Sequence, residues 1–169
     1  MTDNKQKDEF LDILGKNVGI ILKIARAYTV NVADKEDLIN DIALELWKSF
    51  RRFKGDSKVS TWIYRVALNT SMNYKRKREK DKLFFPDDLN QFQNRELIND
   101  PPDSSNSDIL YQCIDELNQL NKAIILLYLD GNSHDEISEI TGISKTNVGT
   151  RISRIKEQIK NLATTKIEK

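Results

Sequence analysis

Apolar residues recur along this chain at steps of three and four, the spacing that puts them on one side of a helix. Ile20, Ile21, Ile24, Ala25 and Tyr28 form one such set. A second comprises Ile39, Ile42, Ala43, Leu46, Phe50 and Phe53. It follows Asp34, which has Asp37 three residues on and so starts its helix in the manner of a capping box. Lys54-Gly55-Asp56 breaks the pattern, and Ser57 is predicted to cap a third helix through Trp62, Ile63, Val66, Ala67, Thr70 and Tyr74 toward Lys80. Trp62 falls on that apolar seam and reads as core.

The texture changes over residues 83–106. All three prolines (Pro86, Pro101, Pro102) fall there, with Asp87, Asp88, Glu96, Asp100 and Asp103 against a single Arg95. Such a stretch buries too little to fold alone and reads as a flexible acidic linker. Phe84, Phe85 and Phe92 are unusual for a plain tether and suit a docking role. The helical pattern then returns, first with Ile109, Leu110, Ile114 and Leu117. Ile124, Ile125, Leu127 and Tyr128 follow, ended by Asp130-Gly131. The expected fold class is all-α: two small helical domains, residues 10–82 and 107–163, joined by the linker at 83–106.

Composition narrows the picture. A chain of 169 residues holds one ordinary domain or two small ones, and 38% hydrophobic against 31% charged residues suits small helical units. Cys113 is the only cysteine and sits in an apolar-periodic stretch, so it reads as a buried structural thiol. With His134 the only histidine, no zinc site can be assembled from these two, and no cofactor is expected. The first nine residues are polar, with no apolar signal core, and no run is long enough to span a membrane. The expectation is a reduced, cytoplasmic protein without membrane insertion.

The most specific local signal lies in the last third. Ser133-His134-Asp135-Glu136 is a capping box that opens a short helix ended by Gly142, a residue suited to a tight left-handed turn. Ser144 then caps a longer helix with the apolar seam Val148, Ile152, Ile155, Ile159 and Leu162. Its other face carries Lys145, Thr146, Asn147, Thr150, Arg151, Ser153, Arg154 and Lys156. Between 145 and 160 five basic residues oppose only Glu157. A short helix, a glycine turn and a long basic helix make a helix-turn-helix that sets its second helix in the major groove. Arginines there reach guanine edges or phosphates, and Ser, Thr and Asn reach either.

The first lobe then adds a family likeness. Asp37-Leu38-Ile39-Asn40-Asp41, Trp47, Phe53-Lys54-Gly55-Asp56-Ser57 and Thr61-Trp62-Ile63-Tyr64-Arg65-Val66-Ala67-Leu68-Asn69 together resemble region 2 of bacterial RNA polymerase sigma factors. Residues 131–137 through Arg151-Ile152-Ser153-Arg154 resemble their region 4. The length, with only a linker between the two, resembles the extracytoplasmic-function (ECF) type.

The resemblance implies three surfaces. Asp37, Asn40, Asp41, Leu44 and Lys48 lie opposite the core face of the second helix, where five carboxylates between 33 and 45 oppose only Lys35. An acidic face with an exposed leucine suits a protein partner, and in the family this region grips the coiled coil of the polymerase clamp. Asn40 stands where the family usually has Gln, so that contact is expected to be shorter or weaker.

For the minus-ten element, the family places a base pocket at Phe53, Lys54, Gly55, Asp56, Ser57, Lys58 and Asn69. The third helix is expected to turn Thr61, Arg65, Asn69 and Asn73 outward, followed by the phosphate-gripping run Lys75, Arg76, Lys77 and Arg78. For the minus-thirty-five element the contacts implied are Ser144, Lys145, Thr146, Asn147, Thr150, Arg151, Ser153 and Arg154. Gly149 stands where the family often has Lys or Arg, which implies either a close backbone approach or an altered sequence preference.

The function implied is a sigma factor that recruits core RNA polymerase and reads two promoter elements. Promoter DNA and core polymerase are the partners, and many relatives are also held by an anti-sigma factor. The linker is expected to reach toward the RNA path, so that neutralising Asp87, Asp88, Asp100 and Asp103 alters promoter escape. The other reading is an autonomous dimeric helix-turn-helix regulator, which has no need of the acidic second helix. An enzyme finds no support, because no carboxylate set, metal-ligand spacing or phosphate-binding glycine loop is present.

Overall fold

A computed structural model describes residues 2–84 and 105–168, so residues 85–104 of the predicted linker, with its prolines, its carboxylates and Phe85 and Phe92, lie outside the described residues. Among the described residues the chain is helical with no strand, and it divides into two compact units, residues 1–98 and 99–169.

The first unit contains α1 (Thr2–Lys16), α2 (Val18–Tyr28), α3 (Val32–Phe50) and α4 (Val59–Phe84). Its core joins Ile21, Ile24, Ala25 and Tyr28 of α2 to Leu38, Ile42 and Leu46 of α3 and to Trp62, Ile63, Ala67 and Leu68 of α4. Helix α1 starts well before residue 10, where the apolar signal begins. Its first two turns are polar, and its buried anchor is Phe10, whose ring lies 5.1 Å from Trp47 and 5.5 Å from Phe50. Periodicity cannot report a helix turn that has no apolar residue in it.

Helix α3 departs from the expected start. Its cap is Asn31, whose Oδ1 accepts from the Asp34 N–H at 2.8 Å, so Asp34 falls inside the first turn. The buried stripe is Leu38, Ile42 and Leu46, with Ile39, Ala43 and Phe50 only half-buried beside it. Helix α4 begins one residue later than a Ser57 cap requires, its first turn closed by the Lys58 carbonyl accepting from the Trp62 N–H at 3.1 Å. Because α4 packs on both α2 and α3, four consecutive residues, 61 to 64, are all buried. Thr61 is only 2% exposed. The expected outward face of α4 therefore excludes Thr61, and it starts further along the helix.

The second unit contains α5 (Ser105–Asp115), α6 (Gln119–Leu129), α7 (His134–Thr141) and α8 (Lys145–Ile167). Helices α4 and α5 each run two residues into the predicted bounds of the linker. Cys113, Ile114, Ile124, Leu127, Ile137, Val148, Ile152 and Ile155 form the core. Cys113 is buried, and that burial pushes its thiol up, in keeping with a structural cysteine.

In this unit the caps read from the sequence, Ser133 and Ser144, are present. Ser133 Oγ accepts from the Glu136 N–H at 3.1 Å and Glu136 accepts from the Ser133 N–H. Gly142 is left-handed at φ 80°, and Ser144 Oγ accepts from the Asn147 N–H at 3.2 Å. Lys122 is a departure: its side chain is fully buried, with Nζ 3.7 Å from Asp115.

Candidate functional site

The first unit presents a groove of about 770 Å³ between α3 and α4. One wall is acidic, with Asp37, Asp41 and Glu45 around Leu44, which is 51% exposed. The facing wall is Asn69, Asn73, Tyr74, Lys77 and Arg78 of α4. Asn40 and Lys48 share the exposed side of α3 with the acidic wall, and Lys48 pairs with Glu45 at 3.5 Å. The five α3 residues singled out from sequence therefore all face solvent. Two residues assigned to DNA, Asn69 and Asn73, line the same groove as three assigned to protein. Sequence separates these sets; the packing of α3 against α4 brings them together.

Residues 53–58 are rooted by aromatic stacking. The Phe53 ring lies 4.8 Å from Trp62 at 22°, Phe50 lies on Trp62 at 6.1 Å, and Trp62 Nε1 donates to Ser49 Oγ at 3.2 Å. Beyond that root the segment opens to solvent: Lys54, Gly55, Asp56 and Lys58 are exposed and Ser57 is half-buried. Gly55 has φ 78°, a conformation that strains any other residue. Trp62 is thus core, as its position on the seam predicts, and it also fixes the base of this loop.

Along α4, Arg65 is half-buried, Asn69 and Asn73 are exposed, Lys75 is half-buried and Arg76 is exposed. Thr61, being buried, cannot present its side chain to DNA. Arg78 is drawn out of the run by Asp34, at 2.6 Å. No local signal marks that pair, because its members lie 44 residues apart.

In the second unit, α8 exposes Lys145, Thr146, Asn147, Thr150, Ser153 and Arg154. Ser144 is exposed, with its hydroxyl committed to the cap, and Lys145 lies 3.2 Å from Asp135. Arg151 is not on the open face. It is half-buried, and its Nη1 donates to Asn121 Oδ1 of α6 at 3.1 Å, so it braces α8 against α6. Lys156 turns to Tyr128, bonding its hydroxyl at 2.6 Å. The basic face is therefore narrower than its sequence suggests, with Arg154 and Lys145 as its exposed cations nearest the helix start.

Gly149 is not demanded by space. A methyl group there would meet only the His134 ring, at 3.6 Å, an ordinary contact. Gly149→Ala should raise the stability of this unit by up to about 1 kcal/mol, since glycine is a poor residue in a helix interior. Thermal unfolding checks this, and a lowered midpoint would show that His134 needs the gap.

Among the described residues no group of three or more His, Cys, Asp or Glu is placed to hold a metal ion. No described helix is long and apolar enough to cross a membrane.

A two-lobed helical protein, with an acid-walled groove on one lobe and a basic helix-turn-helix on the other, falls in the class of helix-turn-helix DNA-binding proteins. Comparison with known proteins places it more closely. The sigma-70 region 2 family profile matches residues 14–81, and the sigma-70 region 4 profile matches residues 107–159. The ECF RNA polymerase sigma-E factor of Escherichia coli K12 is 30% identical over 139 residues, covering 76% of this chain and 73% of that protein. The sigma-E factor of Haemophilus influenzae is 28% identical over the same length, covering 76% and 74%.

Among solved structures, the sigma factor RpoE in complex with the anti-sigma factor NepR from Bartonella quintana shares the fold with a TM-score of 0.73. It is 19% identical and covers 97% of this chain and 98% of that one. CnrH in complex with the cytosolic domain of CnrY gives 0.67 at 18% identity, covering 94% and 90%. The chain belongs to the sigma-70 family of RNA polymerase sigma factors, of the ECF type.

Proposed function

We propose that this chain is a dissociable initiation subunit with no catalysis of its own, acting in the cytoplasm to bring core RNA polymerase to particular promoters. The observation that carries the reading is the α3–α4 groove. A helix-turn-helix repressor has no use for an acidic wall bearing an exposed leucine, whereas a subunit that must grip a large partner does.

Residues 10–82 engage the polymerase clamp through Asp37, Asn40, Asp41, Leu44 and Lys48. The same lobe meets the minus-ten element with residues 53–58, Asn69, Asn73, Lys75 and Arg76. Residues 107–163 anchor on the minus-thirty-five element through Lys145, Thr146, Asn147, Thr150, Ser153 and Arg154. Residues 83–106 connect the two. Exposed cations supply affinity by releasing counterions from phosphates, and the amide and hydroxyl side chains of α8 supply base discrimination. Both solved neighbours are held by a second protein, which supports an anti-sigma factor as a further partner.

The test is reconstitution. The chain added to core polymerase should produce promoter-specific transcription from linear DNA, where core alone gives none. Tight binding to short duplexes by the chain alone, with no effect on polymerase, would instead favour an autonomous regulator.

A further inference from the structure

The basic run at the end of α4 contains one cation drawn into an ion pair with another helix. Arg76, Lys77 and Lys80 are exposed and Lys75 is half-buried, while Arg78 is half-buried against α3. Its Nη2 donates to Asp34 Oδ2 at 2.6 Å, with the arginine side chain 30% and the aspartate 14% exposed. The same Asp34 oxygen accepts from Asn31 Nδ2 at 3.0 Å. Tyr74, one turn before Arg78, also hydrogen-bonds Asp34. Burial first, and then the Asp34 charge, push its phenol up to about 12, so it stays a neutral partner. Asp34 lies in the first turn of α3, where the helix dipole favours a negative charge. The carboxylate is thus stabilised in place before any ligand arrives.

For Arg78 to reach a phosphate it must break a charge-assisted bond to a largely desolvated carboxylate and leave that carboxylate short of its cation. A solvated phosphate offers a bond of similar strength, which does not offset that loss. The balance holds Arg78 on Asp34.

We propose that Asp34 is a positioning residue for promoter binding: it withdraws Arg78 from the DNA-facing run and pins the far end of α4 to the start of α3. The promoter then meets Lys75, Arg76, Lys77 and Lys80, and the end of the α3–α4 groove keeps its shape. The inference rests on the reading of this run as a DNA contact.

The salt dependence of holoenzyme binding to a promoter fragment counts phosphate contacts. Each one adds about 0.7–0.9 to the slope of log affinity against log salt concentration. The fragment is selected from random DNA by wild-type holoenzyme. Arg78→Ala should leave the slope unchanged, because Arg78 makes no phosphate contact to lose. Asp34→Asn should free Arg78 and steepen the slope by about 0.7–0.9, one added contact. The double variant should return to the wild-type slope, and Asp34→Glu should keep it.

A purely structural Asp34 would shift the melting temperature without moving the slope. A shallower slope in Arg78→Ala, or an unchanged one in a folded Asp34→Asn, overturns the proposal. Arg76→Ala and Lys77→Ala separate the two layers. If neither lowers the slope, the run does not touch DNA and the inference falls with that reading. If they lower it while Asp34→Asn leaves it unmoved, only the role of Asp34 falls.

Discussion

Asp37→Lys combined with Asp41→Lys should abolish binding to core RNA polymerase while leaving the fold intact. Both carboxylates are exposed on α3 and line the groove wall around Leu44, away from the Leu38, Ile42 and Leu46 stripe that holds the helix in the core. The double change turns an acidic wall basic. A partner that complements the acidic wall then meets like charge, and a close charge pair broken in this way loses binding on the order of a hundredfold or more. Alanine at both positions should give a smaller loss, since it removes attraction without adding repulsion. Gel filtration with core polymerase, beside a circular dichroism spectrum and a melting curve, checks both halves. Retained binding would refute the assignment of this wall to the clamp.

The second large effect should come from Trp62→Ala. Trp62 is 8% exposed and carries Phe53 and Phe50 on its ring, with its indole N–H on Ser49. Emptying such a site costs about 3–5 kcal/mol, a large share of the 5–15 typical of a domain. Phe53 also loses the surface that roots the 53–58 segment, so promoter opening should fail further than stability alone accounts for. Trp62→Phe should keep most of the stacking and lose the bond to Ser49, about 1 kcal/mol. Permanganate reactivity of the minus-ten region, measured at a temperature where the melting curve shows Trp62→Ala still folded and with Trp62→Phe beside it, separates opening from unfolding. Normal opening by folded Trp62→Ala would detach the loop from the aromatic stack.

How much of this was legible beforehand depended on the distance over which each feature is decided. The Ser133 box, Gly142 and the Ser144 cap are settled within four residues by hydrogen bonds to nearby backbone, and they appear where the sequence puts them. So does the exposed stripe Asp37, Asn40, Asp41, Leu44 and Lys48, because the acids cannot be buried unpaired and only one face of α3 is apolar. One miss is local: Asn31, three residues before Asp34, takes the cap. The others are longer in range, as in the pair between Asp34 and Arg78, 44 residues apart. Thr61 is buried because α4 has neighbours on two sides, which a one-faced pattern does not reveal.

The helix-turn-helix shows the same division within a few turns. Local chemistry dictated that residues 133–160 would form two capped helices about a left-handed glycine, with basic residues concentrated on the second. Which of those cations stand open to DNA was decided by packing. Arg151 is spent on Asn121, because α6 lies within reach of that side of α8, whereas Lys156 stays exposed while bonding Tyr128, also of α6. The groove was decided the same way: its acidic and polar walls belong to separate helices, and only their packing brings the two walls together. Periodicity and caps are properties of a single helix, so the order of residues contains them. A shared groove or a cross-helix ion pair is a property of two helices, and it exists only once they are packed.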